Sequence, residues 1–248
     1  MIRLLQSWGM PVVMTIAYAT LAAVSDTSTT GKAWMAIGLA FVLVVWFLFR
    51  FLTEQAALSR AVAVGDAPRV LELVGKQLRR RKRPAARVPY LVYQAHAHEL
   101  RGDFPAALAS LDEARLDTVS RTAWPTWQVL ASAVRVGVLV ETGQVADARR
   151  VLETELAPAA AKLDPRFHPT ARLQVTTSIG RVLAAEGKHA DARPMFQAVL
   201  GDIRAPSVLR AVARRELARI ADDPAESATH RAELEKLVPD PSSFLRRD

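Results

Sequence analysis

The sequence contains no cysteine. This excludes disulfides, thiolate metal sites, iron–sulfur clusters and cysteine nucleophiles. Catalytic motifs are also missing, since there is no HExxH pair, phosphate-binding glycine loop, dinucleotide fingerprint or nucleophile elbow. His96 and His98 are two positions apart and would point about 200° apart around a helix, so they do not share a ligand-bearing face. The sequence therefore predicts no catalytic residue, no metal and no cofactor, and it argues against an enzyme.

Positive charge is in excess, but the excess is local. The formal net charge is +8, and the stretch KQLRRRKRPAAR at positions 76–87 contains no acidic residue. We call its seven cationic side chains the basic run: Lys76, Arg79, Arg80, Arg81, Lys82, Arg83 and Arg87. Aromatic residues are sparse, and no RNA-recognition or zinc-finger signature occurs. Because a basic run is most often a solvated face, we expect no nucleic-acid partner.

Two long apolar segments stand at the start of the chain. Residues 8–24 and residues 33–49 are each 17 positions without a charge, and the second extends to Leu52 if the Arg50 side chain reaches the headgroups. Eight polar or small residues, SDTSTTGK, separate them. The pattern predicts a transmembrane hairpin within residues 1–54, with spans at about 8–24 and 33–52. A second interpretation makes the first segment a cleaved signal peptide.

The distribution of basic residues predicts the orientation. Asp26 and Lys32 cancel in the loop between the apolar segments, whereas Arg50, Arg60 and the basic run follow the second one. Basic residues are retained on the cytoplasmic side of a membrane. We therefore expect a multi-pass protein of a bacterial inner (cytoplasmic) membrane, with its C-terminal portion in the cytoplasm.

The remainder of the chain has the composition of helices and repeats itself. GDAP at 65–68 recurs as GDFP at 102–105, and GQVADAR at 143–149 recurs as GKHADAR at 187–193. Each glycine follows a helical stretch and precedes another, the place where a left-handed residue ends a helix. Asp66 and Asp103 then stand where a carboxylate caps the next helix. The pattern predicts an all-α fold of helix pairs.

This pattern resembles the tetratricopeptide repeat (TPR), in a membrane-anchored protein with degenerate repeats. The spacing of the glycines exceeds the 34 residues of that family, and the aromatic signature of its first helix is largely missing. The residues at the turn and packing positions are Gly102, Phe104, Ala107 and Leu111, then Gly143, Ala148 and Leu152, then Gly180, Gly187, Ala192 and Phe196. The resemblance implies a TPR-like α-solenoid over 89–238. Helical composition predicts a juxtamembrane helical hairpin with the basic run over 55–88, and polar composition predicts a tail over 239–248.

The resemblance also implies a function. TPR-like solenoids bind other proteins in a concave groove lined by the first helix of each pair. The plan is similar to that of the membrane-anchored TPR proteins associated with haem biosynthesis in proteobacteria. We expect a membrane-anchored scaffold or adaptor for other proteins; the alternative is a structural subunit of a larger membrane complex, and the oligomeric state is left open. The registration places six residues in the groove: Val92, His96, Glu99, Gln174, Thr177 and Arg181.

Helix geometry suggests a role for the basic run. A helix from Leu52 to Gly65 rises about 20 Å, and a second helix from Ala67 to Arg80 returns over a similar length. The basic run would then lie at the level of the headgroups, where each cation contributes up to about 1 kcal/mol near anionic lipid. We expect it to hold the protein against the anionic inner leaflet. The alternative is a solvated helix terminus with cations favoured by the helix dipole.

Overall fold

The structure, a computed structural model, describes residues 29–120 and 122–241, with side chains from Ile37 onward. The all-α prediction is confirmed, because the residues within these ranges form helices and no strand. The first predicted apolar segment, residues 8–24, lies outside the described residues, as do positions 242–248 of the predicted polar tail. The transmembrane hairpin therefore stays a prediction.

The helices follow one another with short connections. A 3-10 turn over Leu116–Thr118 precedes the fifth helix, and a π-helical turn over Leu152–Leu156 joins the sixth helix to the seventh without a break. Numbered along the chain, the helices are α1 (Thr29–Val64), α2 (Ala67–Arg80), α3 (Pro84–Arg101), α4 (Phe104–Glu113), α5 (Trp124–Glu141), α6 (Val145–Val151), α7 (Ala157–Ala161), α8 (Pro169–Ala185), α9 (His189–Gly201), α10 (Ser207–Arg219) and α11 (Pro224–Leu237).

The chain divides into two compact units between Ala57 and Leu58. In the first unit, α1 exposes a nearly continuous apolar surface: ten large apolar side chains between Ile37 and Leu52 are at least 40% exposed. Among the described residues, α1 is the one helix long and apolar enough to cross a membrane, and none of its most apolar window is buried. The expected division at residues 54/55 falls inside this helix.

The predicted tight turns are present in the second unit. Each has a glycine in the left-handed conformation, which a side chain would strain. Asp66 accepts a hydrogen bond from the Arg69 amide at 3.0 Å, and Asp103 accepts one from the Ala106 amide at 3.3 Å. Both predicted caps are thus confirmed. The left-handed glycines are Gly65, Gly102, Gly143 and Gly187, with φ between 72° and 77°.

Each of the last three turns joins two helices that pack against each other. The residues expected at the packing positions are buried there, and Gly180 shows why its position must be small. A Cβ on Gly180 would lie 2.8 Å from Cε1 of Phe196, which α9 inserts from the other side of the pair. The buried packing residues are Ala107, Leu111, Ala148, Leu152, Ala192 and Phe196; Phe104 is half-buried.

Candidate functional site

A cavity of about 230 Å³ lies among α3, α5, α8 and α10, each of which is the first of two consecutive helices that pack against each other. Its wall also includes Ser59, Val62 and Ala63 of the last two turns of α1, which belong to the second unit. The apolar part of the wall comes mainly from α5 and α10, for example from Leu130 and Leu209. The volume suits one or two side chains of a bound molecule and not a whole helix.

The polar groups of this cavity are few and come from different helices. His96 of α3, His168 at the start of α8 and Gln174 of α8 all line it. The Nδ1 atom of His96 lies 3.3 Å from Oε2 of Glu99, which holds the imidazole ring in place. A largely apolar cavity with a few oriented polar groups is the usual form of a binding site.

The aromatic side of the cavity is fixed by a ring contact. The rings of Tyr93 on α3 and Trp127 on α5 meet edge to face, with centroids 5.5 Å apart. Such pairs add about 0.5–1.5 kcal/mol beyond the apolar area that they bury. The contact joins the middle of α3 to the first turn of α5, so it also holds these two walls of the cavity together.

A buried network of charges lies next to this cavity, toward the C-terminal ends of the same four helices. Arg181 of α8 donates from Nη1 to Oε1 of Glu99 on α3 at 2.7 Å, and from Nη2 to Oε1 of Glu141 on α5 at 3.1 Å. Arg215 of α10 also donates to Glu141, and it pairs with its neighbour Glu216. The side chains of these five residues are all at most 7% exposed. We call them the ion network; it joins all four helices.

Gly137 makes room for the ion network. A Cβ at this position would lie 2.0 Å from Oε1 of Glu99 and 2.3 Å from Nη1 of Arg181. The carbonyl oxygen of Gly137 also accepts a hydrogen bond from Nη2 of Arg181 at 3.3 Å. No other residue type fits here without displacing the pair.

The charges of the network hold one another ionised. Burial alone raises the pKa of the Glu99 carboxyl, but the charge of Arg181 and the hydrogen bond from His96 outweigh it and lower the pKa to about 2. Burial opposes ionisation of Glu216 in the same way, yet Arg215, Arg181 and Arg219 lower the pKa of its carboxyl. Buried charges are tolerated in proteins when they are paired in this manner.

The six residues expected in the groove have different surroundings in the structure. His96 and Gln174 line the cavity, whereas Glu99 and Arg181 belong to the ion network. Val92 is fully buried in a cluster with α4 and α5 residues, and Thr177 is 4% exposed with its hydroxyl donating to the Leu173 carbonyl. Four of the six are therefore buried between helices, and their place in a groove that binds a partner stays a prediction.

The seven residues of the basic run also differ in their surroundings. Arg79, Arg80, Lys82 and Arg83 are exposed around the connection between α2 and α3. The other three contact neighbouring side chains: Arg81 lies over the ring of Tyr90 at 4.9 Å, Arg87 pairs with Glu113 at 2.6 Å, and Lys76 pairs with Glu72.

Sequence reasoning did not identify Gly137, Glu141, Arg215 and Glu216. Two signals were present. Arg215 and Glu216 stand in AVARRELARI, on a helix face that is otherwise apolar. Gly137 stands inside an apolar helix, at a position where no turn requires glycine. Charged residues inside such a face need buried partners. The sequence does not say which partners they have. Within the described residues, no group of three or more metal-binding side chains comes together.

Comparison of the chain with protein-family models, with curated proteins and with solved structures finds no match.

Proposed function

We propose that the protein is a membrane-anchored adaptor of the TPR-like kind, which binds a segment of another protein at the cavity among α3, α5, α8 and α10. The cavity carries this proposal. Protein interfaces concentrate their binding energy in a few side chains, most often tryptophan, tyrosine or arginine, that insert into well-packed pockets. His96, His168 and Gln174 supply hydrogen bonds that would orient such a segment.

The apolar surface of α1 supports the membrane anchor. Ten exposed large apolar side chains, on a stretch in which Arg50 is the one charged residue, have no cover in the first unit, and hydrocarbon is the environment that such a helix needs. Together with the apolar segment at 8–24 it would form the hairpin. The basic residues that follow α1 favour a bacterial inner membrane with the helical unit in the cytoplasm.

The anchor is tested in cells that produce the full chain. We expect alkaline carbonate washing to leave the protein in the membrane pellet, and protease added outside spheroplasts to spare the helical unit until the membrane is opened. Release of the protein by carbonate would contradict the anchor. Digestion of the helical unit in sealed spheroplasts would contradict the orientation alone.

The binding site is tested by filling the cavity from its rim. Thr170 is exposed and lines the cavity, so Thr170→Trp places an indole in it without replacing a core residue. Thr176, on the same helix but outside the cavity, provides the matched control Thr176→Trp. In crosslinking from intact cells, we expect the proteins captured by the wild type to be retained by Thr176→Trp and lost from Thr170→Trp. Identical capture by both variants would contradict the proposal.

A further inference from the structure

The ion network determines the direction of four helices. Glu99, Glu141, Arg181 and Arg215 each stand in the last two turns of their helix, α3, α5, α8 and α10 respectively, and they contact one another. The C-terminal ends of the four helices are therefore together, and so are their N-terminal ends. The connections that precede these helices lie at that second end of the unit, which we call the loop end.

The loop end has an unusual apolar character. Among the described residues of the second unit, only two large apolar side chains are mostly exposed to solvent, Phe167 at 80% and Ile203 at 91%. Phe167 belongs to the connection before α8 and Ile203 to the connection before α10. Both are therefore at the loop end, although 36 positions separate them in the chain.

The two connections also lie near each other, because Leu163 and His168 of the first and Pro206 of the second line the same cavity. Arg166 and Arg204, next to Phe167 and Ile203, are 90% and 62% exposed, and they pair with Asp164 and Asp202.

The positive charge of the loop end comes from the connection before α3. That connection includes Lys82 and Arg83, follows Arg79 and Arg80 at the end of α2, and contains no carboxylate. Exposed apolar side chains beside arginine, together with exposed cations at the same end of the unit, are the combination that binds the interface of an anionic bilayer. A protein partner of matching shape would not require the cations to be gathered in one connection.

We propose that the loop end is a second membrane contact, in which Phe167 and Ile203 insert into the interface of an anionic bilayer and the exposed cations of the basic run bind lipid headgroups. This inference rests on the proposed anchoring by α1 and extends it. The helical unit would then lie with its loop end on the membrane and its glycine turns in solution.

The absence of cysteine makes a direct test possible, because single cysteines can be introduced for spin labels. The full chain is reconstituted in nanodiscs, with a label at Phe167→Cys or Ile203→Cys, and with matched labels at Lys188→Cys in a glycine turn and Val45→Cys on the apolar surface of α1. The label's access to oxygen, which concentrates in lipid, is compared with its access to a water-soluble nickel chelate.

In nanodiscs rich in phosphatidylglycerol, we expect the labels at 167 and 203 to prefer oxygen and the label at 188 to prefer nickel. We expect neutral lipid to weaken this preference, and Lys82→Gln or Arg83→Gln to lower the ratio of lipid-bound to aqueous label about fivefold each. Labels at 167 and 203 that are as aqueous as the label at 188 would overturn the proposal. So would protection of both from both reagents, which would indicate that protein covers this end.

The label at 45 separates the two hypotheses. If it is in lipid while those at 167 and 203 are aqueous, only the second contact fails. If it is itself aqueous, the anchor of the proposed function fails.

Discussion

Glu99 and Arg181 are 82 positions apart in the chain, and their carboxylate and guanidinium groups are 2.7 Å apart in the core. This ion pair joins α3 to α8 and passes next to Gly137 of α5, which lies between them. Each side chain is at most 7% exposed, so neither charge has water as an alternative partner. The contact therefore couples the alignment of three helices, and it separates the cavity from the glycine-turn end of the unit.

Substitution of Gly137 by alanine should destabilise the helical unit by about 3–5 kcal/mol, because the added methyl group displaces the Glu99–Arg181 pair and leaves buried charges poorly matched. Chemical unfolding of the full chain in detergent, followed by circular dichroism, measures the loss. Gly75→Ala is the control: its Cβ meets only Arg79 Nη1, at 3.7 Å, and alanine in a helix interior should raise stability by up to about 1 kcal/mol. Equal effects of the two substitutions would contradict the role of Gly137.

Removal of the Arg181 charge alone should destabilise the protein more than removal of the Arg181 and Glu99 charges together. Arg181→Met leaves the Glu99 carboxylate buried without its cation, for a loss of about 3–5 kcal/mol. Adding Glu99→Gln to that variant should restore about 1–3 kcal/mol in a double-mutant cycle of unfolding free energies. The matched comparison is Arg149→Met, which breaks a partly exposed pair with Glu186 and should cost at most about 1 kcal/mol. Strict additivity of the two core substitutions would refute direct coupling.

Stability should fall in acid through Glu99. The pKa of its carboxyl is about 2 in the folded protein against an ordinary value of 4.5, so the unfolded chain binds the proton more tightly. The contribution, about 3 kcal/mol, is then fully present above pH 4.5 and is lost as the pH falls through about 2. Unfolding free energies measured across this window should show a shallower slope for Glu99→Gln than for the wild type, and equal slopes would contradict the role of Glu99.

The turn glycines should respond to alanine for a different reason. Gly143 and Gly187 have φ of 76° and no atom within 4 Å of an added Cβ, so the cost is that of the left-handed backbone alone, about 1–2 kcal/mol each. Asparagine should cost less than alanine at both positions, because it tolerates this conformation better. Gly201→Ala, with equal space and no left-handed backbone, should change thermal stability little. A similar loss at all three sites would show that backbone conformation is not the cause.

Several elements of the fold could be predicted because their causes are local. The helix from Ala67 to Arg80, the left-handed glycines and the caps at Asp66 and Asp103 follow from interactions within a few residues of the chain. Pro125 and Pro169 stand in the first turn of α5 and α8, as expected of proline at a helix start. The pairing of Gly180 with Phe196 was predictable because the two residues stand in one helix hairpin.

The groove residues could not be predicted in the same way. A repeat pattern gives the spacing of helix faces, but whether Glu99 or Arg181 faces a cavity or a neighbouring helix depends on the rotation of helices that are distant in the chain. His96 and Gln174 line the cavity, while Val92 and Thr177 are covered by neighbouring helices. The presence of Ala63 in the cavity wall depends on how the end of α1 packs among the pairs.

By itself, the sequence determined the apolar stretch of α1, the bounds of α2, the glycine turns and the concentration of cations between α2 and α3, because each of these follows from covalent geometry, hydrogen bonds or composition over a few turns of chain. Only the tertiary structure decided which charges are buried partners, which side chains surround the cavity, and that Phe167 and Ile203 share one end of the unit. Those relationships join residues tens of positions apart, and close packing of helices selects them.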